Sequence, residues 1–402
     1  MRILYHHRTA SKDGQAVHIE ELIHALRELG HEVRVVGPAG DDGRGGDAMG
    51  QDVGWVQRLR EGLPKAVYEL LELGYSLLSY LRLARAAREF KPDVIYERYN
   101  LFLLSGVMLK SRMRLPLLLE INAPLADERQ RFGEGLALPR LAHWAERWVW
   151  RGADVALPVT AVLAAQVRAR GVSAERVVVI HNGINETHFA TAPSVADAKA
   201  RLGWADALVL GFTGFVRDWH GVDRVLHWLA SADAPAHARL LVVGDGPARA
   251  DLEALSQQLG LTARVRFTGV VPREQVPAYV AAFDIALQPA VVPYASPLKL
   301  FEYLALGKAT VAPRQPNIEE LLNDGDNALL FDPQQAGALQ AALTRLCRDE
   351  ALRLRLAEGA AATIARQGLT WRANAQRVVA LAAALQSGRP LAEAALSPAR
   401  LK

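Results

Sequence analysis

Residues 296–307 read SPLKLFEYLALG, and this stretch decides the fold. Ser296 stands where a helix N-cap belongs, Pro297 at the first helical position, and Gly307 where a left-handed residue ends a helix. A short helix with both ends specified is predicted. Upstream, Phe283–Pro289 (FDIALQP) reads as a buried strand, so Ala290–Ala295 leads from a sheet edge into a helix N-terminus. In parallel α/β sheets ligands bind at such an edge, because unpaired backbone N–H groups and the helix dipole favour an anion. Lys299 in the first turn adds nothing to the helix dipole and is better explained by a bound phosphate. Glu302 follows on the same face, and the two side chains suit a diphosphate and the hydroxyls of a ribose. An exposed, nearly neutral ion pair between Lys299 and Glu302 is the competing reading, and this stretch alone does not separate the two.

Around it, Leu208–Thr213, Leu240–Val243, Val265–Phe267, Ile285–Gln288, Thr310–Ala312 and Leu329–Phe331 read as strands with helical patterns between them. Gly214–Gly221 (GFVRDWHG) joins the first of these to a helix starting near Val222, and Arg217 there can clamp a diphosphate bidentately. Gly244-Asp245-Gly246-Pro247 is another glycine-rich strand exit, which alone is also compatible with a plain turn. Glu320 lies in a helical stretch after Pro316-Asn317 and faces either a ligand or solvent.

The first half repeats the alternation. Arg2–Tyr5, Glu32–Val36, Asp93–Tyr96, Leu115–Glu120, Asp154–Val159 and Arg176–Ile180 read as strands, and Gln15–Leu29 as an amphipathic helix closed by Gly30. Gly14 sits in the first strand-to-helix loop, where the missing Cβ either admits a ligand to the backbone amides or only shapes the turn. Residues 39–54 are rich in Gly and Asp and predict a mobile surface loop. Leu63–Phe90 combines Leu, Tyr and Val with Arg58, Arg60, Lys65, Arg82, Arg85 and Arg88 in or just before a helical pattern. It predicts a core-facing helix in preference to one lying at a membrane interface. The strand ending at Glu120 opens into Ile121-Asn122-Ala123-Pro124 and a polar run to Gly135, again a ligand-facing position. After His181-Asn182-Gly183-Ile184-Asn185 comes a polar, alanine-rich stretch that marks a domain boundary.

The predicted architecture is therefore two doubly wound Rossmann-like α/β domains, residues 1–190 and 191–372, facing across a central cleft. Residues 373–402 form a helical segment that crosses back to the N-terminal domain. A chain of 402 residues with 22% charged residues has the profile of a globular protein of more than one domain. Cys347 is the single cysteine, which excludes an intramolecular disulfide and fits a reducing compartment. The N-terminus, MRILYHH, lacks the apolar region of a signal peptide, and no stretch approaches the roughly 18 apolar residues of a membrane span. A net charge of +4 suits anionic ligands or an anionic membrane surface. Arginines and lysines are scattered, with no basic stripe of the kind that binds nucleic acid. No cluster of His and Cys ligands with recognisable spacing points to a metal.

Taken in order, these motifs resemble the retaining, two-domain nucleotide-sugar glycosyltransferases of family 4, whose fold is called GT-B. The resemblance covers nearly the whole chain: Gly14 and His18 with Leu29-Gly30-His31-Glu32-Val33, His181–Asn185 followed by Phe189, Gly214–Gly221, Gly244–Pro247, Glu302–Gly307 and Glu320–Gly325. It implies a donor site at Gly14, Gly214, His220, Gly244, Ser296, Leu298, Glu302 and Glu320, with Arg217 and Lys299 stabilising the leaving diphosphate as the catalytic residues. An acceptor, either a saccharide or a lipid-linked one, would meet Asp13, His18, Glu120 and Asn122. The co-substrate implied is a UDP- or GDP-sugar, with no cofactor and no metal. The implied location is the cytoplasm, with peripheral contact at the inner face of the membrane. The chain departs from the family pattern at three positions: the first of its two glutamates falls at Tyr294, and the family lysine and arginine of the diphosphate segment fall at His220 and Phe215. A sugar-nucleotide epimerase, a phosphorylase, or a non-catalytic nucleotide-sugar-binding protein of the same fold are the alternatives.

Overall fold

The computed structural model of the protein describes residues 1–9, 14–38, 40–41, 63–133 and 135–395. Two compact units make up the chain, Met1–His181 with Trp371–Lys402, and Asn182–Thr370. The first boundary lies nine residues before the expected one. Asn182–Thr370 closes on itself, because Ile184 bridges to Thr370 and the Ile184 N–H donates to the Leu369 carbonyl at 3.0 Å. The alanine-rich stretch after it is helical, over Glu186–Phe189 and Val195–Arg201. The helix Trp371–Ser387 belongs to the first unit and packs on the helix Gly14–Glu28.

The first unit carries strands β1 (Arg2–His6), β2 (Glu32–Gly37), β3 (Gly40–Asp41), β4 (Val94–Arg98), β5 (Leu117–Ile121) and β6 (Val155–Pro158) in the order β3-β2-β1-β4-β5-β6. The second carries β7 (Leu208–Thr213), β8 (Ala238–Val243), β9 (Val265–Phe267), β10 (Ile285–Leu287), β11 (Ala309–Pro313) and β12 (Leu329–Phe331) in the order β12-β11-β10-β7-β8-β9. All pairings are parallel except β2 with β3. Counted from each unit's first strand, both sheets have the doubly wound order 3-2-1-4-5-6, which puts a topological switch between β1 and β4 and between β7 and β10. Apolar side chains cover both faces, as a parallel sheet requires: Leu208, Leu210 and Phe212 point into one core, Val209 into the other.

Arg176–Ile180 is not a strand. Val178 and Ile180 donate to the carbonyls of Ala156 and Pro158 at 3.0 and 3.1 Å, but Pro158 has no N–H with which to continue a ladder. Of the loop expected over 39–54, Gly40–Asp41 pairs with β2, and the rest, with Arg58 and Arg60, lies outside the described residues. The polar run after Pro124 is a helix, Leu125–Phe132, whose acidic first turn (Asp127, Glu128) and basic last turn (Arg129, Arg131) complement its dipole. The helix Lys65–Phe90 faces the core with Leu83, Ala84, Ala86 and Ala87, as expected, but its earlier turns point polar side chains inward instead: Glu69, Glu72, Ser76 and Ser79 are buried. No helix among the described residues is long and apolar enough to cross a membrane.

Gly211 in β7 lies against the Phe283 ring, where an added Cβ would come within 2.1 Å of a ring carbon. Gly211→Ala is expected to destabilise the fold by about 2 kcal/mol through overpacking. Urea unfolding monitored by circular dichroism measures this as a lower midpoint at unchanged slope.

Candidate functional site

At the carboxyl edge of the second sheet, β10 runs into the loop Gln288–Pro297 and then the helix Leu298–Ala305. Pro297, not Ser296, holds the N-cap position, with extended backbone (ψ 121), so the helix starts one residue later than expected. Its far end is as expected: Gly307 is left-handed (φ 57), and the Gly307 and Lys308 N–H groups close onto the Leu304 and Tyr303 carbonyls at 3.1 and 2.9 Å.

Three buried side-chain amides fasten the loop. Asn182 donates to the Ser296 carbonyl (2.7 Å), Gln288 to that of Ala290 (2.6 Å), and Asn317 to those of Ala295 (2.8 Å) and Val292 (3.2 Å). Each leaves its own side-chain oxygen buried without a hydrogen-bond partner, and the same holds for Ser296 Oγ and Lys299 Nζ. Buried polar atoms are rarely left so, and a cluster of them calls for an explanation.

Lys299 follows this loop in the first turn of the helix. Its Nζ stands 3.6 Å from the centroid of the Phe212 ring. Burial pulls its pKa down to about 7, with Glu302 acting in the opposite direction. Gly214 has a positive φ of 113, a conformation that favours glycine, and a Cβ there would lie 3.4 Å from Lys299 Cε, in ordinary contact with it. One turn on, Glu302 is half-buried and accepts from Thr213 Oγ1 at 3.2 Å, while the Tyr303 hydroxyl accepts from the Thr213 N–H at 3.0 Å. Burial raises the Glu302 carboxyl, and the Thr213 hydrogen bond and Lys299 work against it. Among the described residues Lys299 forms no ion pair within 4.0 Å, so the exposed surface pair weighed from the sequence is ruled out.

The segment 214–221 brings Arg217 and His220 to the same edge. Arg217 is exposed, its guanidinium 4.9 Å from the Phe215 ring. His220 is buried against Phe212 and Trp219, and its Nδ1 accepts from the Arg217 N–H at 3.1 Å. Burial, then Lys299 and Arg217, pull its pKa to about 2, so the ring is neutral and can offer a ligand only its Nε2 proton. Gly244 is accounted for by packing: a Cβ there would fall 2.2 Å from the Gly214 carbonyl oxygen, where the two strand-exit loops meet. Leu298 opens the helix, and its N–H is one of those a helix start leaves free. Glu320 follows the short helix Pro316–Glu319, half-buried.

In the first unit, Gly14 begins the helix Gly14–Glu28, and Asp13 lies outside the described residues. His18, Glu120 and Asn122 do come together. Glu120 is buried at the end of β5 and accepts from Arg98, His18 Nε2 (2.9 Å), the Tyr96 hydroxyl (2.7 Å) and Asn122 Nδ2 (2.5 Å). Burial alone would raise its pKa; His18, Arg98 and the hydrogen bonds from His18 and Tyr96 outweigh that and hold it well below the usual carboxylate range. With four donors the carboxylate is saturated, so Glu120 positions its neighbours. Beside it, His6 Nδ1 is 2.5 Å from Glu97 Oε2, and its Nε2 is 3.0 Å from Ser79 Oγ. Sequence reasoning missed His6, Glu97 and Arg98. The available signal was charge at the ends of otherwise apolar strands, HHR in and after β1 and ERYN in and after β4. Among the described residues no group of three or more His, Cys, Asp or Glu could hold a metal ion.

Two family models match consecutive parts of the chain: the glycosyl transferase 4-like domain over residues 13–183 and glycosyl transferases group 1 over residues 196–363. The chain belongs to the group 1 glycosyltransferases of family 4. Over 151 residues, 36% of this chain and 39% of the relative, this glycosyltransferase is 36% identical to 2-deoxystreptamine glucosyltransferase of Streptomyces kanamyceticus. It is 27% identical to the lipopolysaccharide core biosynthesis glycosyltransferase LpsD of Rhizobium meliloti, over 90% of this chain and 93% of that one. The structure of Anabaena HepE in complex with UDP-glucose superposes with a TM-score of 0.73 at 20% identity, covering 96% of this chain and 100% of that one. WaaG, a glycosyltransferase involved in lipopolysaccharide biosynthesis, superposes at 0.65 and 17% identity, covering 92% and 96%. At these identities the superpositions establish the GT-B fold.

Glu120→Gln leaves Arg98 buried without its counter-charge and is expected to cost about 3 kcal/mol in denaturant unfolding. The wild-type carboxylate contributes stability above its unfolded pKa of about 4, lost as pH falls toward its depressed folded value. An acid titration of the variant should therefore show a flatter loss of stability below that pH than the wild type.

Proposed function

We propose that this glycosyltransferase transfers a sugar from a nucleoside diphosphate sugar to a hydroxyl acceptor with retention of anomeric configuration, in the assembly of a cell-surface polysaccharide or glycoconjugate. The observation that carries the reading is Lys299: a buried ammonium with no counter-ion among the described residues, at a helix start that follows a loop whose buried polar atoms also lack partners. A diphosphate supplies the missing anion. Lys299 and Arg217 take its charge, together with the amides of Leu298 and Lys299, while Glu302, held by Thr213, accepts from the ribose hydroxyls. Ser296, Gly214, His220 and Glu320 line the donor side, with Gly244 supporting Gly214.

The chemistry asks for charge stabilisation more than for a strong base. The bond from the anomeric carbon to the diphosphate breaks, the acceptor oxygen bonds to that carbon, and the hydroxyl proton passes to the departing diphosphate on the same face of the sugar. Cations fixed at the leaving group stabilise the charge that grows there. UDP-glucose in HepE supports a UDP-sugar as the first donor to try, and LpsD supports a glycoconjugate acceptor. In the first unit, His18 and Asn122, oriented by Glu120, are assigned to a saccharide or lipid-linked acceptor.

Calorimetric titration of UDP, GDP and ADP, and of their sugars, tests the donor. One nucleotide should bind; Glu302→Ala should weaken it about tenfold, and Lys299→Met about a hundredfold, as expected for a charge-assisted contact. No binding by the wild type would overturn the reading. A mixture of anomers, or an inverted product, in the proton NMR spectrum would overturn retention.

Lys299 also sets a pH dependence. With a free-state pKa of about 7, it must be protonated for an anion to bind well, so affinity should fall above that pH, by up to about tenfold per unit, with proton uptake on binding. Titrations in buffers of different ionisation enthalpy measure the uptake, which Lys299→Met should abolish.

A further inference from the structure

From Val67 to Leu81 the helix Lys65–Phe90 buries Glu69, Glu72, Ser76 and Ser79 and shows most of its leucines to water. Val67, Leu70, Leu71, Leu77, Leu78 and Leu81 are 42–58% exposed, and their spacing places them on one face. Single exposed leucines are ordinary; a continuous strip along four turns is not. Between residues 66 and 81 the charged side chains are Glu69 and Glu72, and both are buried.

The inward face explains why the helix cannot roll over. Glu69 accepts the Ala137 and Leu138 N–H groups at 2.7 and 2.8 Å, at the start of the helix Pro139–Gly152, and Glu72 pairs with Arg129 at 2.5 Å. Ser76 donates to the Phe102 carbonyl at 2.5 Å and accepts the Leu104 N–H at 2.9 Å. Turning the leucines inward would leave two carboxylates and several amides unpaired.

We propose that this leucine face is a docking surface for an anionic lipid bilayer, with the helix lying along the interface. Charge decides the occupant. Arg82, Arg85 and Arg88 continue the helix beyond the leucines and are exposed, and the one acid among them, Glu89, is taken up by Arg34 and Arg85 at 2.8 and 3.0 Å. The helix whose start Glu69 holds shows Arg140, Arg147 and the stacked pair Trp144 and Trp148, ring centroids 6.5 Å apart. Indoles beside cations are what the headgroup layer accommodates. A second copy is a poor fit, because self-pairing of the helix puts like charges together: arginines against arginines if parallel, arginines against Lys65 if antiparallel. Phosphate headgroups complement every one of them.

The test uses the full chain with vesicles of phosphatidylcholine, alone or mixed with phosphatidylglycerol, at low and high salt. The wild type should co-sediment with the mixed vesicles. Leu70→Gln, Leu77→Gln and Leu78→Gln combined should lower partitioning more than about tenfold. Arg82→Gln with Arg88→Gln should lower it about fivefold per arginine and blunt the salt dependence. Leu78→Cys carrying an environment-sensitive fluorophore should shift to the blue with mixed vesicles alone. Absence of wild-type binding, undiminished binding by the leucine variant, or an unshifted fluorophore would overturn the proposal. So would a wild-type dimer that the leucine variant dissolves in sedimentation velocity, or a fluorophore already blue in buffer, which would mean the chain itself covers the face. Nucleotide titration without vesicles is unaffected by any of these outcomes, so the donor reading stands or falls separately.

Discussion

An ammonium buried without a counter-ion is the constraint around which the second unit's sheet edge is built. Among the described residues, the face of Phe212 and Glu302 one turn away are what offset the desolvation of Lys299. Glu302 does not collapse onto the lysine, because Thr213 holds it, and Thr213 is itself fixed by the Tyr303 hydroxyl. Two glycines shape the same edge: Gly214 has a positive φ of 113 beside the lysine stem, and Gly244 must lack a side chain because the Gly214 carbonyl sits where its Cβ would be.

The first unit meets the same topology with a different solution. Its sheet has the same strand order, and polar side chains again gather at the carboxyl ends beside the switch, but here the described buried charges are paired. Glu120 takes four donors and His6 faces Glu97, so this edge is stiff and internally compensated. An unpaired charge suits an anionic ligand, whereas a paired network suits the neutral hydroxyl groups proposed for this edge.

Buried carboxylates also dictate how the helix Lys65–Phe90 faces. Glu69 and Glu72 each have partners that water cannot replace once the surrounding helices are packed, and the cost of orphaning them exceeds what burying a few half-exposed leucines would return. Satisfaction of polar groups, not the placement of apolar ones, sets the orientation.

Much of this was legible in the sequence, for local reasons. Strands buried on both faces are short apolar runs, and proline and glycine punctuate helix ends, so the alternation of elements, the helix after Pro297 and its stop at Gly307 could be read directly. Lys299, Glu302 and Arg217 stood out because charges at a strand exit or helix start have few structural uses. What needed the tertiary structure was everything set by partners far along the chain. The burial and free Nζ of Lys299 depend on Phe212 and Gly214, the neutrality of His220 on the same pocket, and the saturation of Glu120 on Arg98 and His18. The failed strand at Arg176–Ile180 depends on Pro158 in its neighbour. Periodicity reports that a helix has an apolar face, but only long-range hydrogen bonds and ion pairs decide which way that face points.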